Sequence, residues 1–142
     1  MAELQLGVTL MRYASTAEMN SPAWQKAVDG ALQVFATSRA RGRVAEKSHL
    51  ELLGLIGQNW ALRTLIDGNV DAESKNGEME ELQSRLTDVD DAIDSQLDQY
   101  ANDAARDYDV KQGPGELSDH LDDIRLRRME GRNQQGIPQF PR

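Results

Sequence analysis

Residues 77–108 read GEMEELQSRLTDVDDAIDSQLDQYANDAARDY. Met79, Leu82, Leu86, Val89 and Ile93 recur at alternating three- and four-residue steps, the spacing of an a/d seam in a coiled coil. Leu97, Tyr100, Ala104 and Tyr108 continue the row after a four-residue step, which locally relaxes a supercoil. The spacing predicts one long helix over 77–108, about 48 Å at 1.5 Å per residue. A globular domain of 142 residues is narrower than that, so part of this helix is expected to project or to pack on another chain.

The other faces of the same helix are carboxylate. Residues 67–109 hold fourteen Asp/Glu against three Lys/Arg, residues 1–66 hold five against seven, and residues 110–142 hold five against six. The net charge of −8 therefore sits in the middle third. Between Glu78 and Asp107 the only cations are Arg85 and Arg106. Like charges three or four residues apart, such as Asp91, Asp94 and Asp98, repel by a few tenths of a kcal/mol per pair. Asp88, Asp91, Asp94 and Asp98 are thus a candidate surface for a basic partner, although a solvated face that merely keeps the chain soluble has the same composition. A calcium loop is a poor reading of Asp88-Val-Asp-Asp-Ala-Ile-Asp94, which has neither the central Gly nor the closing Glu such a loop needs.

Upstream, Ser21-Pro22 is a helix start: Ser caps free amides, and Pro fits the first helical position, where no N–H is needed. Trp24, Val28, Leu32 and Phe35 follow at helical spacing. This helix is expected over 22–41, ended or bent by Gly42. The next, over 44–66, carries ten apolar residues among the seventeen from Leu50 to Ile66. That is too many for one stripe, so other helices or other subunits should surround it. Gly68 is the expected left-handed cap, and 67–77 reads as a polar loop. Residues 1–20 fit both a period-two strand (Leu4, Leu6, Val8, Leu10) and a helical face, and are expected to be an N-terminal arm or a short helix. Beyond the break at Gln112-Gly113-Pro114-Gly115, Leu117, Leu121, Ile124 and Met129 predict a short helix over about 116–130, ended by Gly131. The remainder to Arg142 is expected to be an extended, flexible tail in which Ile137 and Phe140 are anchors for docking on a partner.

Composition removes several classes of chemistry. The chain has no cysteine and two histidines, so thiolate nucleophiles, disulfides and Cys-based zinc sites are absent. Glu46-Lys-Ser-His49 is a Glu-x-x-His unit of the kind di-iron bundles use in pairs, but it stands alone. No phosphate-cradling glycine motif is present. The chain is therefore expected to be neither an enzyme nor a cofactor or metal carrier. Acidity argues against nucleic acid and against anionic membranes. No run of about 18 apolar residues and no signal-like start occurs, so the expected location is the cytoplasm or a particle assembled there. Arg39, Arg41, Arg43 and Lys47 form a small basic patch without interleaved aromatics, best suited to pairing with the acidic helix, within the chain or between subunits.

These readings converge on an all-α protein, an elongated helical bundle or helical hairpin with one long coiled-coil-like helix. Its three parts are the arm (1–20), the helical core (21–110) and the short helix with its tail (111–142). The expected function is a helical assembly or adaptor protein, by architectural analogy a viral or virion structural or packaging component. It would form a homo-oligomer through Met79, Leu82, Leu86, Val89, Ile93, Leu97 and Tyr100 and dock a larger protein. The alternative is an acidic inhibitor whose carboxylate-rich helix occupies the basic nucleic-acid-binding surface of a target enzyme.

Overall fold

The computed structural model describes residues 2–69, 76–99 and 104–136, and they are helical apart from short turns. The elements are α1 (Ala2–Thr16), α2 (Pro22–Val44), α3 (Ser48–Asn69), α4 (Asn76–Gln99), α5 (Ala104–Lys111) and α6 (Gly115–Gly136). The fold is all-α. Residues 1–20 contribute no strand: Leu4, Val8, Met11 and Ala14 are buried at helical spacing, while Leu6 of the alternating row faces outward.

α2 lies between α1 and α3, and α4 packs on α3. Neighbouring helices run antiparallel. Glu3 pairs with Arg41 and Leu10 reaches Gly30; Gly42 meets Glu51 and Gly68 meets Trp24; Glu51 bonds to Gln96 and Asn59 to Asp90. α3 is the hub. Leu52, Leu53, Leu55, Ile56, Ala61, Leu62 and Leu65 are all buried, and the helices that surround them belong to the same chain.

Three helices, α1, α2 and α3, approach so closely that side chains are excluded at several positions. A Cβ on Gly57 would stand 2.3 Å from the Phe35 ring and one on Gly7 2.5 Å from it, so the ring is held between two glycines. A Cβ on Gly54 would meet the Arg39 backbone nitrogen at 2.6 Å, and one on Gly42 the Glu51 nitrogen at 2.5 Å. This corrects the role expected for Gly42, because α2 continues through it to Val44. The C-cap of α2 is Ala45, three residues past Gly42. Lys47 N–H donates to the Gly42 carbonyl (2.8 Å) and Glu46 N–H to that of Arg43 (3.2 Å). Those are the two bonds of a Schellman motif, with Glu46 at φ 57° in the position glycine usually takes. Gly68, likewise, is not a left-handed cap. It lies inside α3 beneath the Trp24 ring, and its carbonyl accepts from Asn20 Nδ2 at 2.5 Å.

The single helix expected over 77–108 is two elements, α4 and α5; residues 100–103, Tyr100 among them, lie outside the described residues. At Gln96, α4 is already level with Glu51, near the start of α3. Gly113 nevertheless lies against Leu53. A straight helix would carry residue 113 about 25 Å beyond Gln96, off the end of α3. The chain doubles back instead, because the outer side of α3 needs cover, and Val110, Leu117 and Leu121 supply it. α6 also departs from expectation: it continues through Gly131 to Gly136, and Met129 faces outward rather than into the core.

Candidate functional site

α6 crosses the bundle from one edge to the other. Near its start Glu116 pairs with Arg12 of α1; that hydrogen bond holds the Glu116 carboxyl below its usual range. In the middle His120 lies against Trp60 of α3. Further on, Arg128 reaches α4, with Nε 2.9 Å from Asp94 Oδ1 and a terminal nitrogen 2.9 Å from Asp98 Oδ1. Of the four carboxylates expected to await a basic partner, Asp94 and Asp98 thus have their cation within the chain. Asp88 and Asp91 are exposed, and no cation partner is found for them among the described residues.

Between α3, α4 and α6 is a groove of about 200 Å³ lined by Asn59, Arg63, Asp90, Asp94, Arg127 and Arg128, with Ile93 and Ile124 at its base. Arg63 Nε donates to Asn59 Oδ1 at 3.2 Å, and Asn59 Nδ2 donates to Asp90 Oδ1. Burial raises the Asp90 pKa; the Arg63 charge and the Asn59 hydrogen bond oppose it. The groove mixes both signs and satisfies itself, which is how a polar network fixes helix register. Its cations escaped the sequence reading, although Arg125-Leu-Arg127-Arg128 is a visible cluster, because nothing local says that α6 crosses to α4.

The seam residues turn inward. Val89, Ile93 and Leu97 are buried against α3, while Met79, Leu82 and Leu86, nearer the start of α4, are half-buried. Within the chain, among the described residues, the basic patch has partners other than α4: Arg41 pairs with Glu3 and the half-buried Arg39 donates to Gln58 at 3.3 Å. Arg43 and Lys47 are exposed. Glu46 belongs to the α2 cap, and among the described residues no group of three or more His, Cys, Asp or Glu is placed to hold a metal ion. Among the described residues no helix is long and apolar enough to cross a membrane. Ile137 and Phe140 lie outside the described residues.

One surface had no sequence forecast. The outward face of α2 forms a shallow depression of about 660 Å³ lined by Gln33, Ala36, Thr37, Ala40, Arg41 and Val44. Val44 is 86 % exposed, with Arg41 on one flank of the stripe and Arg43 on the other. The signal was the i, i+4, i+7, i+11 spacing of Gln33, Thr37, Ala40 and Val44, which is too small-sided to register as a hydrophobic stripe.

Comparison with protein-family models, with curated proteins and with solved structures finds no match.

Proposed function

We propose that the chain is a non-enzymatic helical assembly or adaptor protein that associates with itself and docks a larger protein. The observation that carries this reading is the α2 depression: a β-branched apolar side chain, Val44, stands 86 % exposed on a face of small residues. An apolar face of this kind, rimmed by charge, suits another protein surface. The core needs no second chain, so association would join folded subunits. A place in a virion or other particle is part of the same proposal, as is docking through Ile137 and Phe140.

Sedimentation across a range of protein concentrations tests the reading. A concentration-dependent oligomer that Val44→Asp weakens is the expected outcome. A species that stays monomeric at the highest concentration would remove self-association from the proposal.

The alternative, an acidic inhibitor of a nucleic-acid enzyme, draws on Asp88 and Asp91, with Glu78, Glu80 and Glu81 also exposed on α4. Its acidic stripe is shorter than the sequence promised, since Arg128 already neutralises Asp94 and Asp98. It predicts a monomer or dimer that binds a basic protein with an affinity falling steeply as salt rises.

A further inference from the structure

We propose that the α2 depression receives the first half of α4 from a second copy of the chain; this rests on the self-association reading above.

The argument begins with what each surface lacks. At the end of α2, Arg43 and Lys47 are exposed and no carboxylate partner is found for them among the described residues, with Glu46 the one acidic side chain between them. On α4, Glu78, Glu80, Glu81, Asp88 and Asp91 are exposed, again with no cation partner found among the described residues. Within one chain Arg43 and Lys47 do not meet the carboxylates at the start of α4, Glu78, Glu80 and Glu81. Arg43 is level with the start of α3, since Gly42 contacts Glu51. Glu80 is level with its far end, since Asp90 is level with Asn59 and α4 runs antiparallel to α3. The separation along the bundle is about 30 Å at 1.5 Å per residue. That is several times the screening length of about 8 Å at physiological salt.

The apolar parts match as well. Burial along the α4 seam is graded: Val89, Ile93 and Leu97 are buried, but Met79, Leu82 and Leu86 are only half-covered. The first half of α4 therefore offers a half-open leucine edge beside its outward carboxylates. The α2 depression offers Val44 and the small side chains Ala36 and Ala40, which permit close helix approach, beside its unneutralised cations. Apolar edge meets apolar floor, and carboxylates fall on Arg43 and Lys47. The two patches are different parts of one chain, so every copy carries both halves of the contact.

Sedimentation of two charge-reversed variants, alone and mixed, tests the pairing. In R43E/K47E both patches become acidic; in E78K/E80K/E81K both become basic. All five positions are exposed, and circular dichroism checks that each variant folds. Each variant alone should associate about tenfold more weakly than the wild type, or worse. An equimolar mixture should reassociate, because each patch then finds its opposite. Raising the salt should weaken the wild type and the mixture alike. Variants that associate as the wild type does would overturn this contact and leave self-association through another surface standing. A mixture that stays monomeric while the wild type associates would also overturn it. A wild type that is monomeric throughout would overturn both this contact and the self-association reading.

Discussion

The imidazole of His120 lies against the indole of Trp60, with ring centroids 5.4 Å apart and planes inclined at 40°. Burial in that position lowers the His120 pKa from the ordinary 6.5; the nearby Asp123 charge opposes the shift, and the Arg127 and Arg63 charges add to it. The fold therefore prefers neutral His120. As pH falls below about 6.5 the unfolded chain takes up the proton first, so stability is complete above that value and declines towards the lower folded pKa. Nuclear magnetic resonance titration should place the His120 midpoint below 6.5. In His120→Phe the part of the acid-side loss of melting temperature between those two pH values should disappear.

The Phe35 ring is gripped by Gly7 and Gly57. Gly57→Ala should destabilise by about 1–3 kcal/mol, the usual range for overpacking, measured by urea unfolding. Much of that loss should be recovered in combination with Phe35→Leu, which makes room for the new methyl group. Gly54→Ala should have no such rescue, since its clash is with the Arg39 backbone. Equal and additive losses for all three changes would contradict this arrangement.

Ile93 is 1 % exposed in the seam between α3 and α4. A carboxylate there has no partner, and Ile93→Asp should cost several kcal/mol, on the order of 3–5, or unfold the chain. Leu86→Asp should cost clearly less, because Leu86 is half-buried. Were both variants to stay as stable as the wild type, the seam would not pack as it does in this structure.

Glu46 adopts a left-handed conformation, φ 57°, at the end of α2. A side chain there costs about 1–2 kcal/mol relative to glycine, part of which glycine returns through its more flexible unfolded state. Glu46→Gly should therefore stabilise by about 1 kcal/mol or less. A raised urea midpoint with an unchanged slope would be the signature; a lowered midpoint would mean that the Glu46 side chain has a role the cap does not explain.

Much of the fold is legible in the sequence, and the failures have a common origin. Ser21-Pro22, the Trp24–Phe35 stripe and the Met79–Leu97 seam mark helices and their buried faces through periodicity, which neighbouring residues alone create. Gly42 does not end α2 and Gly68 is not a left-handed cap, because a glycine required for close packing and one required for a turn look alike in sequence. The continuous 77–108 helix failed because the seam pattern says nothing about where its supporting helix stops. Of the candidate site, Arg43, Lys47, Asp88 and Asp91 were visible as charge runs, whereas Val44 and Arg128 were not.

By itself, then, the sequence determined that most of the chain is helical, which side of α2 and of the Met79–Leu97 seam is apolar, and that its acid is concentrated in the middle third. These properties are sums over local residues and do not depend on what comes near them. The tertiary structure alone decided what covers each apolar face and which charges are neutralised. α3 takes up the second half of the seam, α6 brings Arg128 to Asp94 and Asp98, and Arg43 is left far along the bundle from Glu80. Packing between segments far apart in the chain sets those outcomes, and no local pattern encodes the distance between Arg43 and Glu80.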